Sequence, residues 1–375
     1  MQIVVNTRLL LKDKLDGIGW FTYQTLYHIT RAHPEVHFIF LFDRDYDEQF
    51  IFSDNVTPMV LSPQARHPLL YHIWFQYSVR SLLDRMKPDL FLSPDGFAVL
   101  HTKVKQLVVL HDINFHHHPE DLKPLTSKYY THFFPKFARK ATRIATVSEY
   151  SRQDIASNYH IEASGIDVVY NGINSFFHCT TEKEKSSTRK NFAQGKEYFL
   201  YVGSLLPRKN IPNLVKAFSI FKEKSKSDMK LLLAGRNYWG MSEMYSMIKS
   251  CGMENEVILT NRLNNEDLAQ VMGAAEALTF VPYYEGFGIP LVEAMQAGVP
   301  VICSNVTSLP EIAGEAALKV DPMDPEDICK AMLRLRGDNE LKRKLIDAGD
   351  KQKQKFSWEK SAELLWKSIQ RTIQS

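Results

Sequence analysis

Short apolar runs rich in β-branched residues recur along the chain, and each is followed by a stretch whose apolar residues return at helical spacing. In the first half the runs are QIVVN (2–6), VHFIFLF (36–42), DLFLS (89–93), QLVVLH (106–111), RIATV (143–147) and IDVVY (166–170). Between them, 19–32, 70–86, 126–140 and 150–159 read as amphipathic helices. Such alternation predicts an α/β fold with a parallel sheet covered by helices on both faces. From 179 to 197 the chain turns polar and charged, CTTEKEKSSTRKNFAQGKE, as expected of an interdomain linker. The alternation then resumes with YFLYVG (198–203), MKLLLAG (229–235), EVILT (256–260), ALTFVP (277–282) and VPVIC (299–303). Two doubly wound domains are expected, 1–178 and 198–356, with ligand beyond the C-terminal strand ends and in the cleft between them. The segment 357–375 has helical spacing and closes the chain.

Composition narrows the picture. A chain of 375 residues suits two or three domains, and its 44% hydrophobic content is enough for full cores. A net charge of +3 gives no electrostatic case for nucleic acid. The four cysteines, Cys179, Cys251, Cys303 and Cys329, form no Cys-x-x-Cys pair, which points to a reducing compartment. The opening MQIVVNTRLL does not read as a signal peptide, lacking a long apolar core and a small-residue cleavage site, and no apolar run approaches the roughly 20 residues of a membrane span. A cytoplasmic protein is expected.

The candidate chemistry is concentrated in VPYYEGFGIPLVEAMQAGVPVIC (281–303). ALTFVP reads as a buried strand and 283–288 as the loop at its end. Pro290 fits a first helical turn and Gly298 a C-terminal cap, so a helix is expected at about 289–297. Its N-terminal amides suit an anion such as phosphate, and Gly286 and Gly288 admit a ligand close to the backbone. Glu285 lies beside that N-terminus. Glu293, one turn in, suits the two hydroxyls of a vicinal diol such as a ribose. Arg208 and Lys209, in SLLPRKN after YFLYVG, would face the same cleft and suit a diphosphate. HPLLYHIWFQYSVRSLLDRMKP (67–88) interleaves apolar and basic residues at helical spacing. Its apolar stripe is expected on the N-terminal sheet, with a weak peripheral membrane contact as the second reading of its outer face.

EGFGIPLVE resembles the Glu-x7-Glu signature of family GT4, the retaining, nucleotide-sugar-dependent glycosyltransferases with the two-domain GT-B fold. LYVGSLLPRKNIPNLVKAF (200–218), ATVSEYSRQDI (145–155), VVYNGIN (168–174) and GVPVICSNVTSLPEIAGEAALKVDPMDPEDI (298–328) extend the resemblance over most of the chain. It implies two Rossmann-like domains facing across a cleft, with the C-terminal helix returning to the N-terminal domain. It further implies diphosphate stabilisation by Arg208 and Lys209, sugar-hydroxyl binding by Glu285 and ribose binding by Glu293. Ser204, Gly286, Phe287, Gly288 and Ile289 would complete the donor site, with the Leu263 backbone at the base. Asn261 departs from the glycine common in relatives. His111, ending QLVVLH, would line the donor-sugar pocket, and Asp112 is a candidate to orient it. Gly17 and Gly19 in LDGIGWFTYQTL resemble the glycine loop that approaches donor phosphates and acceptor; a dinucleotide motif would need glycine where Thr22 stands.

Two metal patterns are set aside. Asp43 and Asp45 in FDRDYD share the spacing of the metal pair of single-domain transferases but follow only the second strand. His116, His117 and His118 are consecutive and cannot all face one ion from regular structure. No catalytic metal and no cofactor are expected. The resemblance thus implies transfer of a hexose, with GDP-mannose as first donor, to a saccharide or lipid-linked saccharide in surface polysaccharide synthesis. This would occur in the cytoplasm or at the inner face of the membrane. The alternatives are a sugar-nucleotide epimerase of GT-B fold and a non-catalytic nucleotide-sugar-binding subunit.

Overall fold

The computed structural model describes residues 1–236 and 241–375. The chain divides into two compact units, Met1–Gly172 with Ser357–Ser375, and Ile173–Phe356. The first unit is built on seven strands: β1 (Gln2–Asn6), β2 (His37–Phe42), β3 (Val56–Val60), β4 (Leu90–Ser93), β5 (Gln106–Val109), β6 (Arg143–Thr146) and β7 (Ile166–Val168). Their order is β3-β2-β1-β4-β5-β6-β7, and every pairing is parallel. The second unit has β8 (Tyr198–Val202), β9 (Lys230–Ala234), β10 (Val257–Asn261), β11 (Ala277–Phe280), β12 (Val301–Ser304) and β13 (Ala317–Val320). They run β10-β9-β8-β11-β12-β13, again all parallel. In each sheet the chain winds one way from a central strand and then crosses back to wind the other way. The reversal falls between β1 and β4 in the first unit and between β8 and β11 in the second. Ligands of open parallel sheets bind beyond the C-terminal strand ends at such a point.

Both sheets hold one strand that the apolar pattern does not announce. β3 contains Pro58, and β13 is only half buried. Both are edge strands, where a missing N–H and a wet face are tolerated.

The segment 179–197 is not a bare linker. Thr181 and Glu184 form a reciprocal capping box that starts the helix Glu182–Phe192. Thr180 Oγ1 donates to the Gly273 carbonyl at 2.7 Å, so this helix belongs to the second unit. The C-terminal helix Trp358–Gln374 completes the first unit. Ser361 Oγ donates to the Tyr170 carbonyl at 2.5 Å, Ser368 Oγ to Asp167 Oδ2 at 2.7 Å, and Trp366 stacks on His33 at 3.7 Å. Residues 67–88 form the helices Pro68–Ile73 and Arg80–Met86 around a π-helical turn, Trp74–Val79. Trp74, Phe75, Val79, Leu82 and Leu83 are buried in the core of the first unit.

Candidate active site

The loops that leave β8 and β11 meet at the reversal point of the second unit. After β8 the chain runs through Ser204 into a single 3-10 turn, Pro207–Lys209, and then through Asn210 in the left-handed conformation into helix Ile211–Ser225. Several bonds stitch this loop to the one after β11. Tyr283 N–H donates to the Arg208 carbonyl at 3.0 Å, and Asn210 Nδ2 donates to the Val281 carbonyl at 3.0 Å. Lys209 Nζ donates to Glu285 Oε2, and both side chains are nearly buried. Arg208 Nε is buried with no hydrogen-bond partner. A buried, unpartnered guanidinium N–H is costly and calls for an acceptor. An anion such as a phosphate is one acceptor that would meet that need. The Ser204 carbonyl accepts from Tyr201 Oη at 3.1 Å, which fixes the entry to the turn.

The β11 loop is held from behind. Ser304 Oγ donates to the Pro282 carbonyl at 2.6 Å, and Ser308 Oγ to the Glu285 carbonyl at 2.9 Å. Gly286 and Phe287 are buried, and Phe287 meets Phe356 edge-on at 5.5 Å. Gly288 has φ +94, and a Cβ there would lie 2.4 Å from Leu309 Cδ2. Only glycine suits this corner. Helix Ile289–Gln296 follows, one residue shorter than its sequence suggests.

Glu293 lies inside this helix, withdrawn from solvent. It is 7% exposed, and burial pushes its carboxyl up to about 8. That shift favours the neutral acid at neutral pH. Leu263 lies two residues beyond β10, on the same C-terminal edge of the sheet. Asn261 has φ +58, a left-handed conformation that asparagine tolerates.

In the first unit His111 follows β5. Its Nε2 lies 2.9 Å from the Pro94 carbonyl, and its ring meets Phe21 edge-on at 5.0 Å. Burial lowers its pKa. Asp112 does not orient it: Asp112 Oδ1 accepts from Asn114 N–H at 3.0 Å and Nδ2 at 2.5 Å. Gly17 begins the helix Gly17–Ala32, and the Gly19 N–H is taken by Asp16 Oδ1 at 3.0 Å. That amide therefore caps its own helix, as an Asp-x-x start dictates. The two metal patterns resolve into separate contacts. Asp43 is buried, paired with Arg44 at 2.5 Å and bonded to Ala65 N–H at 2.8 Å. His117 pairs with Asp154 and His118 with Glu120.

Sequence reading missed the residues at the reversal point itself. Arg8, two positions after β1, pairs with Asp95, two positions after β4, at 2.7 Å. A charged residue just past a buried strand was the available signal; the strand order that joins these two is not written locally.

Comparison with known proteins shows the family and the fold. Residues 182–352 match the family described as Glycosyl transferases group 1, and residues 15–175 match Glycosyltransferase Family 4. The O-antigen chain mannosyltransferase B of Escherichia coli is 30% identical over 376 residues, covering 96% of this chain and 97% of the relative. The chain belongs to the group 1 and family 4 glycosyltransferases. This glycosyltransferase is also 25% identical over 288 residues to the O-antigen chain mannosyltransferase RfbU of Salmonella typhimurium, covering 75% of each. Among solved structures, the sucrose-phosphate synthase of Thermosynechococcus elongatus superposes with a TM-score of 0.78 at 19% identity, covering 99% of this chain and 98% of that one. Anabaena HepE in complex with UDP and glucose gives a TM-score of 0.76 at 17% identity, covering 99% and 100%. The fold of this glycosyltransferase is GT-B.

Proposed function

We propose that this glycosyltransferase moves a mannosyl residue from GDP-mannose to a hydroxyl of a saccharide or lipid-linked saccharide of a bacterial surface polysaccharide. The anomeric configuration is retained, and neither a metal nor a cofactor is needed. The mannosyl donor and the polysaccharide acceptor rest on the O-antigen mannosyltransferase names of its relatives. The chemistry rests chiefly on one observation, the Lys209–Glu285 pair beside the unpartnered Nε of Arg208 at the end of β8.

Breaking a sugar–phosphate bond puts negative charge on the departing oxygen. Arg208 supplies a rigid fork and Lys209 a mobile charge to receive it. When the diphosphate arrives, Lys209 turns part of its bonding from Glu285 to phosphate, and Glu285 is freed to accept from sugar hydroxyls. As the bond from C1 to the phosphate oxygen breaks, that oxygen takes the acceptor hydroxyl's proton and the acceptor oxygen bonds to C1 from the same face, so the original anomeric configuration is kept. In this reading Arg208 and Lys209 supply the charge neutralisation that a divalent ion supplies elsewhere. Glu293 receives the ribose hydroxyls. His111 keeps the sugar-facing role implied by the family resemblance.

Thermal-shift titration with GDP-mannose, UDP- and ADP-sugars tests the donor, since a bound ligand raises the melting temperature by mass action. The largest shift is expected with GDP-mannose, and an equal or larger shift with another base would replace that donor. Proton NMR of the product linkage tests retention, and an inverted anomer would remove the mechanism. Full activity in EDTA is the expected result for metal independence.

A peripheral membrane contact fits the surface of the first unit. Residues 66–83 and 122–140 contain no aspartate or glutamate. Leu69, Tyr77 and Leu125 stand 63%, 65% and 54% exposed on these segments. His72 meets Phe133 at 5.3 Å, and Lys136 Nζ lies 5.5 Å from the Phe133 ring. Basic heads around exposed apolar groups suit an anionic lipid surface. No described helix is long and apolar enough to cross a membrane. Retention on anionic vesicles at low salt, lost in Tyr77→Ala, is expected, and no retention would end this reading.

A further inference from the structure

The reversal point of the first unit holds an ion pair withdrawn from solvent. Arg8 is 7% exposed, and the Asp95 side chain is 4% exposed. Arg8 Nε donates to Asp95 Oδ2 at 2.7 Å, and Nη1 donates to the Ala65 carbonyl at 3.0 Å. The guanidinium lies 5.0 Å from the Tyr71 ring and 4.9 Å from the Phe97 ring. Asp95 Oδ1 accepts from Asn6 Nδ2 at 2.8 Å and Ser93 Oγ at 3.1 Å. Both oxygens of Asp95 are therefore engaged. A buried ion pair is a poor way to gain stability, because apolar side chains of similar volume often serve as well. Its position asks for another reason.

The residues beside Asp95 supply one. Gly96 has φ +84, and a Cβ there would lie 2.7 Å from Leu110 Cδ2, so this loop is pressed against the end of β5. The preceding residue, Pro94, presents its carbonyl to His111 Nε2 at 2.9 Å. A carbonyl oxygen only accepts, so the Nε2 carries the proton. In the neutral ring, Nδ1 is then left with its lone pair. Whatever fixes residues 94–96 fixes the tautomer and the tilt of His111.

We propose that the buried Arg8–Asp95 pair is a positioning device: by fixing the Pro94 carbonyl it holds His111 as the Nε2–H tautomer and leaves Nδ1 to accept from a hydroxyl of the bound sugar. The sugar contact rests on the role given to His111 above, whereas the hold on the ring does not. Arg8 and Asp95 themselves touch no substrate.

The test uses the full chain in three forms: Asp95→Asn, the apolar double replacement Arg8→Met with Asp95→Leu, and His111→Ala. Nitrogen-15 NMR of the histidine side chains reads the tautomer, and thermal melting checks folding. The double replacement is expected to fold and to melt below the parent, because Asn6 Nδ2, Ser93 Oγ and the Ala65 carbonyl each lose a partner. In both pair variants the His111 ring is expected to lose its uniform Nε2–H signature. Turnover is expected to fall between about 10- and 100-fold, with the donor dissociation constant changed by less than about threefold. Asp95→Asn carries the test should the double variant fail to fold. An unchanged tautomer in a folded pair variant would overturn the proposal, and so would a changed tautomer with parental turnover. His111→Ala separates the two layers. Parental turnover in that variant would remove the sugar contact, while the NMR signature would still decide whether the pair holds the ring.

Discussion

Glu293 lies inside helix 289–296, and its burial gives stability a pH dependence of known sign. Its folded pKa, about 8, stands above the ordinary 4.5. The native state therefore keeps a proton that the unfolded state releases, and stability is lost as pH climbs from about 4.5 to about 8. Glu293→Gln removes that loss. The variant is expected to melt with the parent near pH 4 and above it at pH 8, the gap at pH 7 being on the order of 3 kcal/mol. Ribose hydroxyls donating to this group would favour its charged form, so donor binding should release a proton. Calorimetry in two buffers of different ionisation enthalpy would reveal it, and the signal should vanish in Glu293→Gln. Lys209→Ala is expected to reduce kcat by about 100- to 1000-fold, since it removes charge from the leaving-group side. Near-normal turnover would deny Lys209 that role. Arg208, Lys209, Glu285 and Glu293 were legible because each sits within a few residues of a strand end or helix start that the sequence marks. Arg8 and Asp95 were not, because they are 87 positions apart and only the crossing of β4 to the side of β1 joins them.

Among elements, the corner before helix 289–296 is the most demanding. Gly288→Ala would put a methyl group 2.4 Å from Leu309 Cδ2 at φ +94. A loss of about 1–3 kcal/mol is expected from backbone strain of this kind. Denaturant titration measures it, and donor affinity should fall with it because the helix start shifts. Pro290 and Gly298 made this helix readable to within one residue. The helix 182–192 was hidden by the same polar composition that made it look like a linker, although Thr181-x-x-Glu184 was its start signal. β3 and β13 escaped notice because an edge strand needs neither a continuous apolar run nor every N–H.

For the whole molecule, the alternation of strands and helices was enough for two doubly wound units, since period and run length are local properties. The return of the C-terminal helix followed from the family resemblance and the division at 356/357 was met, whereas the first division falls at 172/173 and not at 178. The first unit closes only with Ser357–Ser375, whose helix buries Trp358, Leu365, Trp366 and Ile369. Gly172 is fitted against it so closely that a Cβ would fall 2.3 Å from the Trp358 nitrogen. Deleting 357–375 is expected to raise amide hydrogen exchange throughout the first sheet while the second sheet keeps its protection. Equal protection of both sheets in the truncated chain would show that the helix is dispensable.

This connectivity also orders synthesis. A ribosome delivers every residue of the second unit before it delivers the helix that finishes the first. The later-encoded unit can thus reach its native state earlier, while the nascent N-terminal half waits with the seat of Trp358 and Trp366 uncovered until that helix emerges.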